Sequence, residues 1–476
     1  MIALYIAISL LITLSVFLIR NRKLIISLVV IFVLLQWILT CYEYLTLNSV
    51  QLYYFTPDAI GIILLAVLSV IASMSFLYSF IYLDSRNDSP RIISIYLSAL
   101  ILLIMAISCA YLANHVAIAW IFVEITTLSS SVLIYHRRTE RSLEGSWKYI
   151  FICSVSVALI FMGILFLGMA SQQAKAGDLF YSNLVLHAKS LDELWLKAAF
   201  LFIFTGYTAK LGLFPMYTAG IDAKDKAPSP ASAVFSSALM NVGFIGVFRM
   251  YGIISKTNIH PWVNLVLIIS ALISLIIAAA YMLRVKSFKR MFAYSSVEHM
   301  GIAVVGLTMG SMGIFGSVLH VIFHSFTKAG LFYQYGSVNR VIKSKFINDA
   351  GEYFEKNTSG ALVLLLGFFM VTAIPPSGMF ISEYYIFRSL FEKGYLWLLI
   401  VFAVLITVII WALGENIFRL LFYKPPFVRD NGEITKKVSV WESVPQFALM
   451  AGVMYLGVNP PGFLIELINQ AVKGFS

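Results

Sequence analysis

Two stretches of this sequence decide how the chain folds: TGYTAKLGLFPMYT at residues 205–218 and TAIPPSGMFISEYYIF at residues 372–387. Each lies in an apolar run long enough to cross a membrane, and each combines prolines and glycines with one charged side chain. Proline removes a backbone donor and clashes with the preceding turn, so a helix that contains it bends or breaks. The sequence therefore predicts interrupted helices at Pro215 and at the pair Pro375 and Pro376.

Composition places the rest of the chain in lipid as well. Of the 476 residues, 60% are hydrophobic and 12% are charged, whereas soluble domains carry about 25% charged residues. The net charge of +11 comes mainly from short loops between apolar runs, so membrane topology explains it better than nucleic-acid binding. No CxxC or grouped Cys/His pattern predicts a metal cluster, because the cysteines lie singly in apolar stretches: Cys41, Cys109 and Cys153.

Apolar runs of about 20 residues predict an all-α, polytopic membrane protein of about fourteen transmembrane helices. The first run lacks a basic n-region and a clear cleavage signal, so we expect it to be a retained helix. The predicted spans are 2–19, 24–41, 59–82, 92–111, 115–135, 148–170, 194–217, 230–254, 261–283, 293–309, 313–338, 360–390, 394–422 and 440–468.

Basic residues divide unequally between alternate loops. One set of loops holds most of them, including Arg20, Arg22, Lys23, Lys224, Lys289, Lys424, Arg429, Lys436 and Lys437. The opposite set holds only Lys175, Lys189, Lys197, Lys256, Lys393 and Lys473. Because Lys and Arg concentrate in cytoplasmic loops, we expect both termini on the outer side of the membrane and an even number of spans.

Two charged residues lie well inside predicted spans five and seven. Glu124 lies in WIFVEITTLSSS (120–131), and Lys210 precedes the first break. A charge at the bilayer centre costs roughly 2.5–3.5 kcal/mol on insertion scales, and a partner lowers that cost. We therefore predict a coupled pair. It either takes part in an ion pathway, in which Lys210 exchanges protons, or only fixes helix packing.

Further titratable residues accompany the second break. Glu383 follows it, and LHVIFHSFTKAG (319–330) spaces His320, His324 and Lys328 four residues apart, on one face of a helix. Histidine titrates near neutral pH and can relay protons. The HxxxH spacing also fits a metal, although the sequence offers no third ligand nearby, and satisfied core histidines would show the same spacing.

Three more residues lie near the predicted inner face: Lys148, at the start of span six, and Glu298 and His299, at the start of span ten. Each is either an inlet or accessory group of an ion pathway or an interfacial residue whose polar end reaches water.

The two broken spans occupy comparable places, seventh and twelfth, and each carries one central charge. That arrangement is typical of internal repeats around a transport path. It predicts a single membrane domain in four parts, with peripheral helices in 1–90, a first repeat in 91–256, a second in 257–424 and a last helix in 425–476. Phosphate-binding, dinucleotide-binding, nucleophile-elbow and haem-attachment motifs are missing, so we expect no redox cofactor in this chain.

Taken together, the motifs resemble the antiporter-like proton-channel subunits of respiratory complex I, multisubunit cation/proton antiporters and group 4 membrane-bound hydrogenases. The resemblance runs over most of the chain and is strongest over residues 119–383. SSVEHMG and GSWKYIFICS are typical of the hydrogenase-4 and formate hydrogenlyase branch. Besides Glu124, the phrases that carry the resemblance are AKLGLFP (209–215), KAPSPASAVFSSALM (226–240), KRMFAYSSVEHMGI (289–302), HVIFHSFTKAGLF (320–332) and PPSGMFISE (375–383).

The resemblance implies fourteen helices with two inverted five-helix repeats, and a membrane subunit that translocates H⁺ or Na⁺ in a prokaryotic cytoplasmic membrane. Partner subunits would carry iron–sulfur clusters and a NiFe centre. The implied ion path, here called the polar axis, comprises Glu124, Lys210, Asn241, Lys328, His324, His320 and Glu383, with Glu383 at the outlet.

Two positions depart from the complex I pattern. Asn241 stands where span eight normally carries a lysine, and Tyr217 stands where a histidine usually follows the seventh helix. Asparagine cannot titrate, although its amide can hold a water molecule and so keep the axis continuous. Two alternatives therefore stay open: a cation/proton antiporter subunit without a redox partner, and a structural anchor with an inactive path.

Overall fold

The computed structural model describes residues 1–47, 49–50, 53–86, 88–174, 177–424 and 438–475. Within these ranges the chain is helical and forms no strand beyond isolated β-bridges, which confirms the all-α prediction. The loop residues Lys175, Arg429, Lys436 and Lys437 lie outside the described ranges. The α-helices are α1 Ile2–Leu18, α2 Arg22–Leu45, α3 Ala59–Asp84, α4 Pro90–Leu112, α5 Val116–Ile134, α6 Glu140–Gln173, α7 Tyr181–Leu186, α8 Glu193–Leu211, α9 Thr218–Lys226, α10 Ser229–Ser236, α11 Ala238–Ile254, α12 His260–Met282, α13 Phe288–Leu307, α14 Gly310–Ile342, α15 Tyr353–Lys356, α16 Thr358–Val371, α17 Gly378–Glu392, α18 Leu396–Phe422, α19 Val444–Val458 and α20 Gly462–Lys473.

Ten helical segments of the described chain are long and apolar enough to cross a membrane, and the bent pair α19 and α20 makes an eleventh if it counts as one span. Two shorter apolar helices, α1 and α16, occupy further predicted spans. The structure is therefore that of an integral membrane protein. The count of fourteen spans stays a prediction.

The last predicted span, 440–468, is not one continuous helix. It divides into α19 and α20, whose axes differ by 71°. Pro460 and Pro461 lie at the junction, where the helix cannot continue through them.

Predicted span eight, 230–254, is also divided, between α10 and α11. Ser237 at the junction has φ −124° and ψ −95°, well outside helical values. Its hydroxyl donates to the carbonyl of Ala233 at 2.6 Å, and the Tyr111 hydroxyl donates to the carbonyl of Ala238 at 2.6 Å. Hydroxyl groups thus bond the backbone around this break, although no proline or glycine lies at the junction to predict it.

The interior of the molecule is built on α10, α11 and α14. The span formed by α10 and α11 is buried throughout, and α14 is buried along nearly its whole length. α14 packs against α10, α13, α16, α17 and α19. These central helices carry Asn241, His320, His324 and Lys328, so those side chains face protein rather than lipid. The division into repeats stays a prediction.

Candidate functional site at the helix breaks

The first break separates α8 from α9. Gly212 takes a left-handed conformation, with φ 80°, and ends α8. The backbone beyond it is bonded by α12, because Phe214 donates its N–H to Ser274 Oγ at 2.9 Å and its carbonyl accepts from Ser270 Oγ at 2.6 Å. Such partners make an irregular backbone tolerable at membrane depth. The interruption predicted at Pro215 is confirmed.

The second break separates α16 from α17. Both Pro375 and Pro376 lie in the intervening segment, and the Ser377 side chain caps α17. Gly378 packs backbone to backbone against Gly457 of α19, where a Cβ on Gly457 would overlap the Cα of Gly378. The interruption predicted here is confirmed as well.

Lys210 is buried immediately before the first break, with 4% of its surface exposed. Its ammonium donates to Thr127 Oγ1 at 2.9 Å and to the Tyr149 hydroxyl at 3.0 Å, and it lies 5.2 Å from the centre of the Tyr149 ring. Neutral oxygen atoms, rather than a carboxylate, are therefore its direct partners. Tyr149 was not predicted as a site residue, and its place in the motif GSWKY is the one signal that could have found it.

Glu124 is half-buried on α5 and interacts electrostatically with Lys210. No direct ion pair joins the two side chains in the described chain, and Oε2 of Glu124 is buried without a hydrogen-bond partner there. Thr127, one turn along α5, bonds Lys210 instead. The two predicted partners thus act on each other's charge without direct contact.

Lys148 lies on the exposed surface of α6, where it pairs with Glu144 one turn away. The structure does not bring it into contact with the polar axis, so its role as an inlet group stays a prediction.

Asn241 connects two of the buried helices. Its Nδ2 donates to Ser325 Oγ of α14 at 2.9 Å, while its Oδ1 has no partner among the described residues. On the same helix, Gly243 packs so closely against α8 that a Cβ there would lie 2.5 Å from its backbone. Three residues after Ser325, Lys328 donates to Ser295 Oγ of α13 at 2.7 Å. Asn241 thus places a polar group on α11, between α8, which carries Lys210, and α14, which carries Lys328.

A second buried cluster joins α13, α14 and α17. The ring centre of His299 lies 5.2 Å from that of His320 and 5.6 Å from that of His324. Its Nδ1 lies 3.8 Å from Glu383 Oε1, and His320 Nδ1 lies 3.0 Å from Ser382 Oγ. These contacts bring His320, His324 and Glu383 together, as expected for the polar axis.

Glu298 and His299 lie elsewhere than the sequence predicted. The prediction placed them at the start of a span near the inner face, but α13 begins at Phe288, so both lie in mid-helix, 3% and 1% exposed. An interfacial role is therefore wrong for both. The error arose because Lys289 and Arg290 were assigned to a loop. The charge of Glu298 instead interacts with the charges of other buried residues, Glu383 and Lys328.

His299, His320 and Glu383 could also surround a metal ion, because their ligand atoms lie within 4.8 Å of one another. Two of these ligands come from helices other than α14, which explains why the HxxxH spacing alone offered no third ligand. Bonds of about 2.0–2.1 Å to tetrahedral zinc imply ligand atoms about 3.3 Å apart. The 3.8 Å between His299 and Glu383 is wider. The absence of a metal at these three side chains stays a prediction.

Two lysines that the sequence placed in loops are buried. Lys224 of α9 is 2% exposed and Lys289 of α13 is 3% exposed. The ammonium of Lys289 donates to the carbonyl of Ala227 and to Ser232 Oγ, the latter at 3.2 Å. Neither lysine stands out in the sequence, because each lies among other polar residues, as in IDAKDK (221–226) and SFKR (287–290).

Fold and site together define an integral membrane protein with two broken helices and with titratable side chains buried on α8, α13, α14 and α17. Residues 113–410 match the membrane family of NADH:quinone oxidoreductase and the Mrp antiporter. That range holds every residue of the polar axis. The chain belongs to this family.

Similar proteins and structures agree with that assignment. The chain is 30% identical over 423 residues to a hydrogenase-4 component F homolog of Methylacidiphilum infernorum, which covers 87% of each chain. It is 26% identical to F420H2 dehydrogenase subunit N of Methanosarcina mazei, over 75% of this chain and 73% of that one. A chain of an archaeal membrane-bound sulfane sulfur reductase shares the fold, with a TM-score of 0.86, 21% identity and coverage of 100% and 97%. So does a chain of the Mrp complex from Dietzia, with a TM-score of 0.83, 15% identity and coverage of 98% and 97%.

Proposed function

We propose that this chain is the antiporter-like membrane subunit of an energy-converting oxidoreductase complex and that it translocates H⁺, or Na⁺, across a prokaryotic cytoplasmic membrane. A group 4 [NiFe] hydrogenase, a formate hydrogenlyase or a relative of complex I would be such a complex. The main support is the set of titratable side chains buried on α8, α13, α14 and α17, together with half-buried Glu124 on α5. Burying so many charged or chargeable groups is costly in lipid, and such residues usually mark an ion path.

The proposed chemistry of this chain is proton binding and proton transfer. Lys210 holds a proton at Nζ, stabilised by the oxygen atoms of Thr127 and Tyr149 and by the charge of Glu124. When the charge at Glu124 changes, that stabilisation weakens and the proton moves inward. Lys328 receives it, and the cluster of His324, His320, His299 and Glu383 passes it to the outlet.

Electron transfer belongs to partner subunits, because this sequence contains no motif for a redox cofactor. We expect those subunits to carry iron–sulfur clusters and a NiFe centre. Their redox energy would reach this chain as a change of electric field at Glu124, which is half-buried and therefore open to influence from a neighbouring membrane subunit. Both termini would lie on the outer side.

Two other functions each have one supporting observation. The fold likeness to the Dietzia Mrp complex favours a cation/proton antiporter subunit without a redox partner. Asn241, which cannot carry a proton, favours a structural anchor with an inactive path. Identification of the subunits in the purified native complex separates the proposed function from the antiporter function. A redox enzyme accompanies the chain only if the proposed function is correct.

Reconstitution of the native complex in vesicles tests the proposal directly. Electron transfer by the wild-type complex should acidify or sodium-load the vesicles, detected with a pH-sensitive dye and with radioactive sodium in parallel. Lys210→Ala, Glu124→Gln and Glu383→Gln should each reduce translocation about tenfold or more. The surface variant Lys189→Ala serves as the matched control. Full translocation in Lys210→Ala and Glu124→Gln would contradict the assigned roles, and none in the wild type would favour the anchor.

A further inference from the structure

Lys224 is a buried lysine with little polar contact for its side chain among the described residues. It is 2% exposed, and the one hydrogen-bond contact of its Nζ in the described chain is with Met240 Sδ, at 2.9 Å. A thioether is a weak acceptor. Burying a charged amine without a carboxylate or carbonyl partner costs several kcal/mol. A methionine or leucine would pack there at lower cost, so a purely structural role does not explain this lysine.

The position of Lys224 lies between the two halves of the polar axis. Its contact residue Met240 immediately precedes Asn241 on α11, and the Met240 methyl lies 3.0 Å from where a Cβ would stand on Gly212, two residues beyond Lys210. On the other side, the charge of Lys224 acts on those of His324 and Lys328 on α14. Lys224 is thus linked toward both lysines of the axis at the level where Asn241 cannot titrate.

We propose that Lys224 is the proton carrier that Asn241 cannot be. The inference rests on the proposed function and deepens it. In its neutral form, the amine of Lys224 accepts the proton that the ammonium of Lys210 releases, leaving Lys210 neutral. Lys224 then gives that proton to the neutral amine of Lys328, through water held at the amide of Asn241. One proton moves in each step and no electron is transferred.

The surrounding charges set the order in which these groups can hold a proton. Ser232 Oγ donates to the backbone carbonyl of Lys224 at 2.8 Å and accepts from Lys289 Nζ at 3.2 Å, which places a second buried ammonium near the backbone of Lys224. Like charges in a low-dielectric interior repel strongly. A proton on Lys224 therefore repels one on Lys328, so Lys328 accepts it only while its own amine is neutral.

Two variants of Lys224 distinguish a carrier from a structural charge. Lys224→Met removes a buried ammonium whose one hydrogen-bond contact in the described chain is a thioether, so assembly and melting temperature should be unchanged or improved, while proton pumping per electron should fall about tenfold or more. Lys224→Arg keeps the positive charge but cannot release a proton, because arginine stays protonated in proteins. Lys224→Arg should therefore also stop pumping if Lys224 carries protons. If Lys224 supplies only a positive charge, pumping should continue in this variant.

A rescue variant and two controls complete the test, all in the native complex reconstituted in vesicles. Adding Asn241→Lys to Lys224→Met places a titratable amine on the neighbouring helix and should restore a large part of the pumping. Lys286→Met, an exposed lysine, is the matched control and should pump normally. Wild-type pumping in both Lys224 variants, with pumping lost in Lys210→Met, would overturn this inference alone. Normal pumping in Lys210→Met as well would overturn the proposed function itself.

Discussion

At the scale of single residues, the ammonium of Lys210 depends on two neutral oxygen atoms. Tyr149 supplies one of them at 3.0 Å. Hydrogen bonds to charged groups contribute about 1.5–3 kcal/mol. Tyr149→Phe keeps the ring but removes that bond, so we expect translocation in vesicles to fall roughly tenfold. Tyr455→Phe, an exposed tyrosine on α19, is the control, and equal loss in both variants would contradict a specific role for Tyr149.

Asn241 has a separate, testable part in the axis. Asn241→Leu removes the amide that donates to Ser325, and leucine can neither hold water nor pass a proton. We expect translocation to fall several-fold while electron transfer in the complex continues. Asn416→Leu is the matched control, because the Asn416 amide bonds only a carbonyl of its own helix in the described chain, at 2.7 Å. Unchanged translocation in Asn241→Leu would remove Asn241 from the axis.

The sequence predicted the single-residue chemistry unevenly. Lys210, Lys328 and Glu383 were predictable because a charge in an apolar run stands out. Lys224 was hidden, because in IDAKDK it looks like any loop lysine, and only the folding of α9 into the interior reveals its burial. Tyr149 was hidden for the opposite reason, since aromatic residues are common in membrane helices.

At the scale of helices, the breaks marked by consecutive or flanking Pro and Gly were predicted correctly at Pro215 and Pro375. The same rule, applied to Pro460 and Pro461, would also have divided the last span. Ser237 is different, because a serine bonds its own helix backbone in regular helices and at breaks alike. Its junction follows from tertiary contacts, such as that between Tyr111 and Ala238, which no local pattern contains.

The glycine contact at the second break carries a prediction of its own. A Cβ on Gly457 would overlap Gly378, whereas one on Gly452 of the same helix would meet nothing within 4 Å. Gly457→Ala should therefore lower the melting temperature and the yield of assembled complex. Gly452→Ala should leave both unchanged or slightly raised, since alanine favours a helix over glycine by about 1 kcal/mol. Equal stability of the two variants would show that α17 and α19 can separate at no cost.

At the scale of the whole molecule, the asymmetry of basic residues predicts which loops face the cytoplasm. In a variant lacking Cys41, Cys109 and Cys153, a single cysteine at Lys189 should react with a membrane-impermeant maleimide added outside intact cells. One at Lys286 should react only after the cells are opened. Labelling of Lys286 from outside would reverse the topology and place the proposed outlet on the cytoplasmic side.

The close contact between Gly378 and Gly457 also has a consequence for how the protein moves. Carriers that alternate their access swing groups of helices against each other. Here the backbones of α17 and α19 are in close contact at the second break, and serine hydroxyls bond the first break to α12. Both interruptions are therefore held by neighbouring helices. We expect transport through such a frame to proceed by reorientation of side chains and water. Its speed should therefore depend little on the viscosity or thickness of the surrounding bilayer.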